Sequence, residues 1–377
     1  MKKNNIVVDE NIAFPEAFEL FGNVIKVSGR EISNSILKDC DILIIRSVTP
    51  VNEKLLQNTK VKFVGTATSG TEHIDVNYLN KNKIFFAEAK GCNSFSVAEY
   101  VITAIVKLLA DSKEAFSNKS VGIVGLGSIG SKVENFCQSL GMKVIHNDPP
   151  LKRKNLNFIS SSLEEILSCD IISLHVPLTF DGLDKTYNLL DDNLSLVKEN
   201  SILINTSRGG VINETKLIEI LKQKKIRLVT DVWINEPEIN IELLMKSDIS
   251  TPHIAGYSIE GKVNGTKMIF EQLNKFLGTN YEFNFTDNFT EKETIKFDSD
   301  FSSESLNELF KKIYDIEGDS FRLKEMINMK ANEQKSFFDK LRKEYPLRKS
   351  FNNYLIKTSN KSIKTVLENF RFQVDVI

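Results

Sequence analysis

Short apolar runs alternate with helical patterns along most of this chain. Residues 6–8, 42–45, 61–64 and 84–87 read as strands, and Val97, Val101, Ile105 and Leu108 then recur at helical spacing. A polar break at Ser117-Asn118-Lys119-Ser120 precedes a further strand, Val121-Gly122-Ile123-Val124. Residues 144–146, 171–175, 201–205 and 228–231 extend the series, with helical patterns between them such as 214–221. A long amphipathic pattern runs over 260–277. This alternation predicts βαβ units and parallel sheets. Past Gly278 the texture changes: 281–304 is rich in Asn, Asp, Thr and Phe without clear alternation, and 306–377 mixes helix and strand patterns. That part reads as a separate C-terminal domain.

At 377 residues the chain is too long for one ordinary core. Lys and Arg number 49 against 50 Asp and Glu, a formal net charge of -1, so no global field draws it to nucleic acid or anionic lipid. An anionic substrate must then be caught by a local group of cations. No run approaches the ~20 apolar residues of a membrane span, and no signal-length apolar run develops near Met1. Cys40, Cys92, Cys137 and Cys169 are scattered without a Cys-x-x-Cys pair, so reduced thiols and no metal site are expected. These features point to a soluble cytoplasmic protein.

The strand 121–124 runs into Gly125-Leu126-Gly127-Ser128-Ile129-Gly130, and a helical pattern follows with Val133, Phe136, Cys137 and Leu140. A strand closing on Gly-x-Gly-x-x-Gly and opening a helix is the context of a dinucleotide cradle. The glycines allow a tight turn and close approach of backbone to pyrophosphate, which the helix N-terminus then faces. Asp148 ends the next strand 23 residues after Gly125, matching the offset of an acid that binds the adenosine ribose hydroxyls. A carboxylate there favours NAD over NADP, although Lys152 and Arg153 lie close enough to keep NADP open.

The histidines are His73, His146, His175 and His253. His253 follows Thr251-Pro252, where no regular helix can hold it. Glu236, past the strand end at Asp231 and before Pro237, could fix its tautomer and raise its pKa. Arg208 follows another strand end and is flanked by Gly209-Gly210, where a guanidinium could grip a carboxylate and polarise a neighbouring oxygen. Base, acid partner, cation and cradle together suit oxidation of a 2-hydroxy acid by a nicotinamide cofactor.

Arg208, Glu236 and His253, in this order and these contexts, resemble the D-isomer-specific 2-hydroxyacid dehydrogenase family. A closer likeness, to a member acting on a phosphorylated four-carbon hydroxy acid, runs through Ile45-Arg46-Ser47-Val48-Thr49, residues 62–71, Gly91-Cys92-Asn93, Asp148-Pro149-Pro150, Asp231-Val232-Trp233, residues 251–261 and the tail around Phe338 to Lys343. The resemblance implies an α/β fold of two discontinuous doubly wound, Rossmann- or flavodoxin-like lobes and a small α+β dimerisation domain. It puts a substrate lobe at 1–95, an NAD lobe at 96–256, a return helix at 257–280 and the dimerisation domain at 281–377, with the active site in the cleft. It also implies that His253, Glu236 and Arg208 are catalytic, and that Ser47, Thr68 and Tyr257 contact substrate. Asp148, Val176, Thr206, Ser207, Asp231 and Gly256 would line the NAD site with Gly125, Gly127, Ser128, Ile129 and Gly130. Val176 stands where a threonine is expected, and Ser69 replaces a small apolar residue beside the substrate loop.

The rival readings are a family member with another substrate, such as 3-phosphoglycerate, and a non-catalytic NAD-sensing scaffold. Retention of base, acid partner and arginine argues against the scaffold. For the substrate phosphate, Arg46 is the first candidate and the tail cations Lys340, Arg342, Lys343 and Arg348 the second, the latter reaching across a homodimer.

Overall fold

The computed structural model describes residues 3–191, 193–284, 292–346 and 348–377. They fall into two compact units, Met1–Asn93 with Tyr257–Thr290, and Ser94–Gly256 with Glu291–Ile377.

The first unit is built on β1 (Asn4–Asp9), β2 (Gly22–Val27), β3 (Ile42–Ile45), β4 (Phe63–Thr66) and β5 (Phe85–Glu88), all parallel in the order β2-β1-β3-β4-β5. β3 and β4 are buried at every position, which is why β3 reads as an unbroken apolar run. The helix Ile259–Leu277 covers one face, setting Ile269, Phe270 and Leu273 against Ile6, Ile42 and Phe63. Ser258 caps that helix by accepting the Gly261 N–H at 3.0 Å. Leu37, Leu43, Ile45, Val64 and Leu79 fill the other face. Strand order reverses between β1 and β3, and the carboxyl ends there lead into Arg46–Thr49. β2, which no apolar run announces, is an edge strand with Asn23, Ile25 and Lys26 exposed.

The second unit holds β6 (Ser120–Val124), β7 (Lys143–Asn147), β8 (Ile171–Leu174), β9 (Ile202–Asn205), β10 (Arg227–Thr230) and β11 (Ile249–Ser250), parallel in the order β11-β10-β9-β8-β6-β7. Its order reverses between β6 and β8, where the glycine fingerprint begins. The C-terminal segment adds a three-stranded parallel sheet, β12 (Glu293–Lys296), β13 (Tyr354–Thr358) and β14 (Gln373–Val376), in the order β12-β13-β14.

That segment has its own sheet but no core of its own. Leu306, Leu309, Phe310, Phe351 and Phe370 join one cluster with Tyr100, Ala104 and Ile105 of the helix Ser94–Asp111. Phe370 also meets Phe136 edge-on at 5.2 Å, tying the segment to the fingerprint helix Gly130–Ser139. The helix Ser94–Asp111 is therefore buried nearly all round, although sequence spacing predicts only one apolar stripe. Arg348, one of the tail cations offered for the substrate phosphate, is 7% exposed. Its Nη2 donates to the carbonyl oxygens of Ala255 at 2.5 Å and Ser96 at 3.3 Å.

Candidate active site

Three strand ends of the second unit carry the chemistry. After β6 the chain turns at Gly125 with φ +88°, and a Cβ at that residue would lie 2.6 Å from the His175 carbonyl oxygen. Only glycine fits. At Gly127 a Cβ would meet nothing within 4 Å, so the turn presents open backbone. Asp148, at the end of β7, accepts the Leu126 N–H at 2.8 Å and the Leu151 N–H at 2.8 Å. It thus holds the glycine turn and caps the helix Pro149–Lys154. Lys152 is occupied by the Leu156 carbonyl at 2.6 Å and Arg153 by Asp184 at 2.5 Å, so both basic neighbours are turned to other partners. The Thr206 hydroxyl is buried without a hydrogen-bond partner among the described residues. An open glycine turn, a strand-end carboxylate and an unsatisfied hydroxyl fit a dinucleotide.

After β9, the Asn205 side chain staples the next turn. Its oxygen accepts the Ser207 N–H at 3.1 Å and hydroxyl at 2.7 Å, and its nitrogen donates to the Arg208 carbonyl at 3.0 Å. Gly209 then passes against the next loop so closely that a Cβ would lie 2.1 Å from the Trp233 carbonyl carbon. The Arg208 turn and the loop carrying Glu236 are thereby packed backbone to backbone.

Glu236 and His253, 17 residues apart, meet at 2.8 Å between Oε2 and Nδ1. Glu236 Oε1 accepts the Trp233 N–H at 2.9 Å, so the carboxylate is fixed at both oxygens. His253 sits at φ 57°, a left-handed conformation that costs a non-glycine residue roughly 1–3 kcal/mol. Asp231 holds it there: its carbonyl accepts the His253 N–H at 2.7 Å, and its carboxylate accepts the N–H groups of Ile254 at 2.7 Å and Ala255 at 3.0 Å. With Nδ1 engaged, Nε2 is the ring nitrogen left to exchange a proton.

Burial opposes charge on both partners, but their mutual attraction wins. Burial raises the Glu236 carboxyl, yet the charge and hydrogen bond of His253, with help from Arg342 and the Trp233 N–H, hold it below the ordinary range. Burial lowers His253, as does Arg342, but Glu236 and then Asp231 leave it above the ordinary histidine value. Burial pushes Asp231 up to about 6. Burial, with the Glu236 charge adding, pushes Glu214 up to about 7; its Oε1 accepts the Ile234 N–H at 2.6 Å.

In the first unit, Thr68 Oγ1 lies 2.8 Å from Thr66 Oγ1, which in turn lies 3.2 Å from His73 Nε2. Ser47 is exposed and Arg46 half-buried on the loop after β3. Ser69 bonds Asn93 at 2.9 Å and accepts the Gly91 N–H at 3.0 Å, which gives the unexpected hydroxyl a structural task. Val176 lies at the strand end facing Gly125, where its Cγ1 would be 2.9 Å from a Cβ on that glycine. Glu214 escaped the sequence reading, and Arg342, read there as a phosphate candidate, acts as a charge beside Glu236 and His253. Glu214 carried only the Asn213 helix cap beside it as a signal.

Residues 106–255 match the family described as D-isomer specific 2-hydroxyacid dehydrogenase, NAD binding domain. Residues 289–370 match a domain of unknown function (DUF3410). Erythronate-4-phosphate dehydrogenase of Hahella chejuensis is 39% identical over 358 residues, covering 93% of this chain and 94% of that one. The chain belongs to the erythronate-4-phosphate dehydrogenase family. The enzyme of that name from Proteus mirabilis is 38% identical over 97% of this chain and 98% of its own. Among solved structures, D-lactate dehydrogenase of Aquifex aeolicus with NAD and lactic acid gives a TM-score of 0.62 at 25% identity, covering 73% of this chain and 96% of that one. NAD+-bound 3-phosphoglycerate dehydrogenase of Entamoeba histolytica gives 0.61 at 26%, covering 74% and 96%. The family is thus D-isomer specific 2-hydroxyacid dehydrogenases that use NAD.

Proposed function

We propose that this protein oxidises 4-phospho-D-erythronate at C2 with NAD, giving (3R)-3-hydroxy-2-oxo-4-phosphooxybutanoate on the route to pyridoxal 5′-phosphate. The near full-length likeness to erythronate-4-phosphate dehydrogenases, 39% over 93% of the chain, carries the choice of substrate. When bound, NAD supplies the hydride acceptor. The chain's own residues do the rest. His253 Nε2 takes the C2 hydroxyl proton, and Glu236 stabilises the imidazolium and keeps the tautomer that leaves Nε2 free to accept. Arg208 holds the carboxylate and polarises the C2 oxygen. Gly125, Gly127, Ser128, Ile129 and Gly130 cradle the pyrophosphate, and Asp148 binds the adenosine ribose. Val176, Thr206, Ser207, Asp231 and Gly256 line the remainder of the cofactor site.

In this reading the unit Met1–Asn93 with Tyr257–Thr290 binds substrate through Arg46, Ser47, Thr68 and Tyr257, with Arg46 toward the phosphate. Ser94–Gly256 binds NAD, and the C-terminal segment forms a homodimer; Phe321, 71% exposed on the helix Ile316–Lys324, supports such a contact. A cytoplasmic setting agrees with four free cysteines. No helix among the described residues is long and apolar enough to cross a membrane. The deciding assay follows NADH formation with 4-phospho-D-erythronate against 3-phosphoglycerate and D-erythronate. We expect the first to give the highest kcat/KM; no NADH from it overturns the proposal.

A further inference from the structure

Arg46 is not the only cation beside Tyr257. Its guanidinium lies over the Tyr257 ring at 5.7 Å and its Nη2 reaches the phenolic oxygen at 3.4 Å. Lys262 places its ammonium over the same ring, 5.2 Å from the centroid. The three residues come from two places in the sequence, the loop after β3 and the start of the helix Ile259–Leu277, and all lie in one unit. We infer that Lys262 and Arg46, set about the Tyr257 ring, form a two-cation subsite for the phosphate of a phosphorylated hydroxy acid. This rests on the substrate proposed above and adds the residue that selects its phosphorylated form.

Charge balance is the first reason. A phosphate monoester carries roughly -1.5 to -2 at neutral pH. One guanidinium leaves it under-compensated, and a chain of net charge -1 offers no general field to make up the difference. Placement is the second. Two cations held within 5.7 and 5.2 Å of one ring centroid raise the local positive potential, which a bound dianion would offset. Tyr257 keeps them there, since the negative face of the ring attracts both. The helix end bearing Lys262 is also fixed in position. Ser258 caps it, and one turn on, a Cβ at Gly265 would lie 2.6 Å from the Ala67 carbonyl oxygen, next to Thr68 of the proposed substrate loop. The first-turn dipole adds positive potential at the same place.

The test compares wild type, Lys262→Met and Lys262→Arg with 4-phospho-D-erythronate and D-erythronate. Loss of one charge-assisted contact should lower the ratio of kcat/KM for phosphorylated over unphosphorylated substrate about 10- to 100-fold in Lys262→Met, with most of that ratio recovered in Lys262→Arg. Inorganic phosphate should raise the melting temperature of wild type and do so less in Lys262→Met. An unchanged ratio overturns the subsite, as does equal phosphate stabilisation of both proteins. If wild type fails to oxidise 4-phospho-D-erythronate, the proposed activity falls, while the phosphate-stabilisation comparison still decides the subsite.

Discussion

Replacing Glu236 by glutamine isolates the charge on His253 from the shape of the site. The new side chain keeps an oxygen for the Trp233 N–H, which Glu236 Oε1 accepts at 2.9 Å. Its amide nitrogen then faces Nδ1 across the former 2.8 Å contact and donates to it. Nδ1 becomes an acceptor, the proton moves to Nε2, and Nε2 can no longer take a proton from substrate. By analogy with other histidine bases whose carboxylate is amidated, kcat should fall roughly 10²- to 10⁴-fold. The charge loss has a separate signature. A charge-assisted hydrogen bond is worth about 1.5–3 kcal/mol, but the His253 side chain is 36% exposed and solvent screens part of that. What remains is still lost in the variant, whose His253 pKa should lie below that of wild type. The sign follows from the role. His253 must be neutral to act as a base, and its pKa is raised in the native site. Oxidation therefore fades as pH falls through that raised value, and the variant, with a lower pKa, should keep its residual activity to lower pH. The assay is the pH profile of kcat/KM for NADH formation. An acid limb that stays in place or moves to higher pH would refute this account of the pair.

Three further predictions test other parts of the molecule. Asp148→Asn removes the charge that disfavours a 2′-phosphate, so the preference for NAD over NADP in kcat/KM should narrow about tenfold or more; equal efficiency with both cofactors in wild type would sink the assignment. Glu214, pushed up from 4.5 to about 7, binds its proton more tightly folded than unfolded, so stability should decline as pH rises from about 4.5 to about 7. Glu214→Gln keeps an acceptor for the Ile234 N–H and should flatten that slope in thermal melts; an identical slope would remove the assignment. Arg348→Met leaves the carbonyls of Ala255 and Ser96 without their buried donor and should cost roughly 1–3 kcal/mol of unfolding free energy, less any relief from no longer burying the charge. An unchanged urea midpoint would show that the contact contributes nothing.

Much of the fold and of the cofactor cradle is legible in the sequence because both are written locally. A buried parallel strand such as Ile42–Ile45 is apolar along its whole length, and that shows without knowing its neighbours. The turn at Gly125 and the carboxylate of Asp148 belong to one strand-turn-helix-strand unit, so their spacing carries the geometry. Edge strands do not announce themselves: in Glu293–Lys296 three of four residues are exposed. Charge gives no sign of where it ends up. Nothing local in the sequence tells that the fold sets two backbone carbonyls around Arg348. Nor does composition say which elements share a core, and only packing shows that the C-terminal phenylalanines cover the helix Ser94–Asp111. The same holds for Lys262 and Arg46, which the chain separates widely and the Tyr257 ring brings together. The sequence by itself determined the elements, the parallel sheets and the types of residue that carry the chemistry, because those depend on near neighbours and side-chain chemistry. The tertiary structure alone decided which charges are buried, which meet, and at what distance, because those contacts join positions that the sequence keeps far apart.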